Sequence, residues 1–99
     1  MFNPEMMQKL QSLKQQAEES KNKLSQTVIT EEAGGRLVEI TMNGNRELQS
    51  LKINADLATM DKEDLEDLVS VALKRVLDKV NAINEQEVMS SAQSLFPGM

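Results

Sequence analysis

Apolar side chains recur early in the chain at Met6, Leu10, Leu13, Ala17 and Leu24, with the small Ser20 filling the same series. The steps alternate between four and three residues, which keeps all of these positions on one narrow stripe of an α-helix. Asn3 is placed to cap that helix, and Pro4 falls at its first position, where a missing N–H costs nothing. The pattern predicts a helix over about residues 4–25. So thin a seam covers little of its own domain, so the helix is expected to project and to lean on a partner helix.

From Thr27 the period shortens to two. Thr27-Val28-Ile29-Thr30 is β-branched throughout and suits a strand. Ala33-Gly34-Gly35 supplies a turn into Arg36-Leu37-Val38-Glu39-Ile40-Thr41-Met42. There Val38, Ile40 and Met42 share one face, and Leu37, Glu39 and Thr41 the other. Asn43-Gly44 is a hairpin signal, because both residue types tolerate φ > 0. A third strand over about residues 47–53 is expected to carry Leu51 and Ile53 on one face with Glu47 and Gln49. These strands make an antiparallel meander with one mainly apolar face.

After a connector over residues 54–60, Asp61 is a candidate N-cap, with Asp64 where a capping box carries its acid. The helix that follows is expected to run to about Ala92. Its apolar set is Leu65, Leu68, Val69, Ala72, Leu73, Val76, Val80 and Ile83, a wider stripe than that of the first helix and the one expected to cover the sheet. Residues 94–99 read as a mobile tail. The fold class is α+β, in the order α-β-β-β-α, as one domain over residues 1–99. One helix cannot cover both faces and both edges of a three-stranded sheet, so a homodimer joined through the β core is expected.

Composition sharpens that expectation. The 99 residues include two Phe, no Trp, no Tyr and no Cys, so neither large aromatics nor disulfides reinforce a thin core, and oligomerisation is the remaining remedy. His is absent as well. Without His or Cys the usual general base, thiolate nucleophile and imidazole ligands are missing, and a Cys/His zinc site is excluded. The glycines form no phosphate-binding loop, and the acids read as solvated helix-surface charge. No enzyme activity, cofactor or metal is expected. The start, Met1-Phe2-Asn3-Pro4-Glu5, has no basic segment followed by an apolar run, and no apolar stretch approaches the ~20 residues of a membrane span. A cytoplasmic protein that does not engage a membrane is expected.

The net charge of −5 is unevenly distributed: +1 over residues 1–26, −1 over 27–55 and −5 over 56–99. Much of the last value comes from Asp61-Lys62-Glu63-Asp64-Leu65-Glu66-Asp67, and an acidic first turn is what a helix dipole favours. Net charge by itself therefore does not choose the partner.

The order helix, meander, helix resembles the YbaB/EbfC family. The resemblance starts at Met1-Phe2 and runs through Met6-Met7-Gln8-Lys9-Leu10, Gly34-Gly35-Arg36-Leu37-Val38 and Val38-Glu39-Ile40-Thr41-Met42-Asn43-Gly44. It continues in Lys52-Ile53-Asn54, Leu65-Glu66-Asp67-Leu68-Val69 and Pro97-Gly98-Met99. It departs at Lys74-Arg75-Val76, where the family commonly has Asn-Asp/Glu-Ala, and at Asn54, where an Asp often stands. The first departure either favours phosphate contact or removes a polar contact of the family. The resemblance implies a tweezer-like, nucleoid-associated homodimer whose long helices project from a joined β core. It implies binding of double-stranded DNA with little sequence preference, with roles in nucleoid organisation, gene regulation or repair. Recombination or replication proteins are implied as further partners.

A DNA grip needs Lys and Arg at phosphates. The first helix offers Lys9, Lys14, Lys21 and Lys23, and the second offers Lys74, Arg75 and Lys79. Arg36 and Arg46, near hairpin turns, are weaker candidates. The bland counterpart is solubilising charge in i, i+4 pairs such as Lys14–Glu18 and Lys74–Asp78. With Phe2 and Phe96 at the chain ends, no aromatic platform for single strands is expected. The alternative function is a protein-interaction scaffold, for which Met6, Met7, Met42, Met60 and Met89 offer adaptable contacts.

Overall fold

The structure is a computed structural model, and it describes residues 3–95. Its elements are α1 (Pro4–Gln26), β1 (Val28–Ala33), β2 (Val38–Asn43), β3 (Leu48–Ile53) and α2 (Lys62–Leu95). The strands form one antiparallel sheet in the order β1-β2-β3. The molecule is a rod of 68 × 22 × 20 Å. At about 1.5 Å per residue, α2 alone accounts for most of that length.

α1 begins as its sequence dictates. The Asn3 side chain accepts the N–H of Met6 at 2.8 Å, and Pro4 opens the first turn. α2 begins with Asp61 at the expected N-cap position but without the expected side-chain cap. Asp61 accepts the Leu65 N–H through its backbone carbonyl at 3.1 Å, and no side-chain cap from Asp61 or Asp64 forms among the described residues. α2 then continues past Ala92 to Leu95, so Ser94 and Leu95 are helical instead of belonging to a tail. Residues 96–99 lie outside the described residues.

The core is the contact between the inner sheet face and one stripe of α2. Ala33, Val38, Ile40 and Met42 meet Ala72, Val76 and Val80, with Ile29, Leu65, Leu68, Val69 and Leu77 packed around them. Leu73 was expected in this stripe but is exposed, and Leu77 packs against the core in addition to the expected set.

β3 departs from strict alternation. Thr41 faces Ser50 but Met42 faces Leu48, which leaves Gln49 as an extra residue in a bulge. Directly paired residues point to the same face, so Leu48 joins Leu51 and Ile53 on the inner face, and the expected partners Glu47 and Gln49 do not. α2 packs chiefly against β1 and β2. Leu48, Leu51 and Ile53 therefore remain 60%, 47% and 42% exposed.

α1 is anchored at its base alone, where Leu24 is buried. Above that point Ser20 hydrogen-bonds Ser91, and Lys23 pairs with Glu87 at 3.1 Å. Met6, Leu10 and Leu13, further along the same stripe, stay exposed.

Candidate nucleic-acid interface

The base of α1 docks on the β2–β3 hairpin. Asn43 closes that hairpin: its N–H donates to the Glu47 carbonyl at 3.0 Å, and its carbonyl accepts the Arg46 N–H at 3.0 Å. Its buried side chain finishes the turn. Oδ1 accepts the N–H groups of Asn45 (2.9 Å) and Glu47 (3.1 Å), and Nδ2 donates to Glu47 Oε1 at 2.9 Å. The loop is three residues long, and the left-handed position falls on Arg46, at φ 65°. Neither Asn43 nor Gly44 has positive φ, so the hairpin differs from the two-residue turn expected of an Asn-Gly pair. Gly44 is needed for closeness instead. A Cβ there would lie 2.8 Å from the Leu24 carbonyl oxygen.

Two further side chains fix this junction. Asn45 Nδ2 donates to the Lys21 carbonyl at 2.9 Å, and Asn84 Nδ2 of α2 donates to the Gly44 carbonyl at 3.0 Å. Arg46 Nε donates to Asn81 Oδ1 of α2 at 2.6 Å. The hairpin tip thus sits on the Lys21 side of α1, and the Lys23–Glu87 contact lies on the opposite side.

The seven candidate cations divide by whether another group of the protein engages them. Lys23 pairs with Glu87 between the two helices, Lys79 pairs with Glu31 of β1 at 2.9 Å, and Arg75 Nη1 donates to the Glu32 carbonyl of β1 at 2.8 Å. These three side chains hold the protein together. Lys9, Lys14, Lys21 and Lys74 make no ion pair within 4.0 Å among the described residues. The i, i+4 pairs Lys14–Glu18 and Lys74–Asp78 are therefore not formed. Lys14 and Lys21 lie about 60–80° from Leu24 on the hairpin side, and Lys9 lies about 60° to the other side.

The acids near β1 are also occupied. Glu31, Glu32 and Glu39 line a hollow of about 580 Å³ with Thr30, Arg36 and Arg75. Glu31 is held by Lys79, Glu32 by Arg36 at 3.4 Å, and Glu39 accepts Asn54 Nδ2 at 3.2 Å. Among the described residues no cluster of acids could hold a metal ion, and no helix is long and apolar enough to cross a membrane.

A helix-meander-helix rod with an unpaired basic flank matches a known sequence profile, that of the YbaB/EbfC DNA-binding family, over residues 1–95. The chain belongs to the YbaB/EbfC DNA-binding family. Among its relatives, a nucleoid-associated protein of Flavobacterium johnsoniae is 35% identical over 94 residues, covering 95% of this chain and 88% of that protein. A nucleoid-associated protein of Neisseria meningitidis serogroup C is 37% identical over 97 residues, covering 95% and 87%. The fold recurs in the crystal structure of an uncharacterized protein from Helicobacter pylori, with a TM-score of 0.81 at 24% identity, covering 91% of this chain and 96% of that one. The YbaB/EbfC pattern of helix, meander and helix is thus the pattern of this chain.

Proposed function

We propose that this protein binds duplex DNA with little sequence preference, as a homodimer associated with the nucleoid. The observation that carries the reading is the unpaired cation flank of α1, Lys14 and Lys21, on a helix that projects from the core in a member of a DNA-binding family. Phosphate contact supplies most non-specific affinity and needs no base readout. Lys9 and Lys74 are the other two of the seven candidates that make neither an ion pair nor a side-chain hydrogen bond among the described residues.

The homodimer rests on the uncovered inner face of β3. Leu48, Leu51 and Ile53 are exposed there, as is Leu73 of α2, and a second copy would bury what α2 leaves open. In such a dimer the two projecting α1 helices and their lysines would flank a cleft for DNA. The relatives' names as nucleoid-associated proteins support a part in nucleoid organisation, and regulation or a role beside recombination or replication proteins extends the reading as the family resemblance implies.

The test is fluorescence anisotropy of labelled duplexes of unrelated sequence across a salt series. Affinity should fall log-linearly with salt and vary little with sequence. An absence of binding at low salt would leave the scaffold reading, which the exposed Met7, Val88 and Met89 and the net charge of −5 favour.

A further inference from the structure

Arg46 occupies a position where its own backbone preference argues against it. The residue ends a three-residue hairpin loop in the left-handed region, at φ 65°. Glycine takes that conformation without a steric cost, and Asn or Asp with little, whereas a long side chain adopts it reluctantly. Strained positions of this kind persist where the side chain has a task.

The contacts of the side chain narrow the task. Its Nε donates to Asn81 Oδ1 at 2.6 Å, which fixes the guanidinium against α2. The two terminal Nη groups, the end that grips phosphate oxygens, have no partner among the described residues. Arg36 makes the comparison. It too is left-handed, at φ 72°, but its guanidinium is taken by Glu32 at 3.4 Å. Arg46 has no such acid. The nearest carboxylate in sequence, that of Glu47, accepts from Asn43.

The neighbours of Arg46 point the same way. Asn45, the preceding residue, bonds the Lys21 carbonyl, so the loop that carries Arg46 is joined to α1 at Lys21, with Lys14 about 10 Å further along that helix. We propose that Arg46 is a DNA-phosphate contact, pre-oriented by Asn81, that extends the basic flank of α1 onto the hairpin. The proposal rests on the DNA-binding reading and adds to it a residue off both helices.

The experiment compares wild-type protein with Arg46→Gly, Arg46→Lys and Asn81→Ala by duplex anisotropy over a salt series, with thermal melts at matched concentration. Glycine relieves the backbone, so Arg46→Gly should keep or raise Tm while binding about tenfold more weakly. Its salt slope should fall by about 0.9 for each protomer engaged. Arg46→Lys should keep the slope and recover part of the affinity. Asn81→Ala should weaken binding without changing the slope. Unchanged affinity and slope in Arg46→Gly, with wild-type binding intact, would overturn the Arg46 assignment alone. A loss of affinity that merely tracks a lower Tm and is not recovered by Lys would also overturn it. Failure of wild-type protein to bind would overturn the underlying DNA reading as well.

Discussion

The N–H of Gly44 lies 2.8 Å from the carbonyl of Leu24 and 2.9 Å from that of Thr27, so a single hairpin residue satisfies acceptors at the end of α1. The neighbouring acceptors are satisfied by side chains: Lys23 by the Thr27 hydroxyl at 2.9 Å, Asn22 by Ser25 at 2.7 Å and Lys21 by Asn45. A helix with one buried residue depends on such a socket, since packing holds little else of it. Replacing Gly44 with Ala puts a methyl 2.8 Å from a backbone oxygen that cannot rotate away. Gly44→Ala should therefore lose about 2 kcal/mol of stability, read from urea unfolding at matched concentration. Stability within a few tenths of wild type would show that α1 docks by other means. The Asn-Gly pair was legible as a turn, but its reason was not. Positive φ belongs to Arg46, and closeness to Leu24 is a contact between residues 20 apart in the chain, which no local pattern encodes.

At the scale of the elements, α2 shows how far periodicity carries. Ala72, Val76 and Val80 are buried as their spacing predicts, because a 3.6-residue period fixes which side chains share a face. It does not fix where the covered surface ends. Leu73 and Leu77 flank the same stripe, yet Leu77 packs against the core and Leu73 is exposed. β3 adds a second lesson. The bulge at Gln49 shifts Leu48 onto the inner face, a register change set by pairing with Met42 and invisible to strict alternation. The resulting strip of Leu48, Leu51 and Ile53 lies on an edge strand, whose free backbone groups invite pairing. A charge placed there should separate subunits without touching the α2–β2 core. Leu51→Glu is expected to shift the protein from twice its monomer mass to the monomer mass in sedimentation, with helical circular dichroism retained. A dimer that survives the substitution would move the interface elsewhere.

For the whole molecule, the deciding quantity is the division of charge between its two sides, since the total of −5 argues against DNA and averages over unlike surfaces. The seven cations were legible as a set, but the division was not, because the groups that engage three of them are far away in sequence. Lys79 meets Glu31 of β1, Lys23 meets Glu87 of α2, and Arg75 reaches the Glu32 carbonyl. Two double variants with the same change in net charge can then give different results. Lys14→Gln with Lys21→Gln removes cations that have no ion pair, and should lower the salt slope of duplex binding by about 1.8 for each protomer engaged. Lys23→Gln with Lys79→Gln removes cations already engaged with acids. It should leave that slope near wild type and cost roughly 0.2–1 kcal/mol of stability for each broken surface pair. If DNA responded only to overall charge, the two variants would lose affinity equally. Equal losses would therefore refute a directed basic flank even in a protein that binds DNA. Unequal losses in the stated order would place the phosphate backbone along the Lys14 and Lys21 flank of α1.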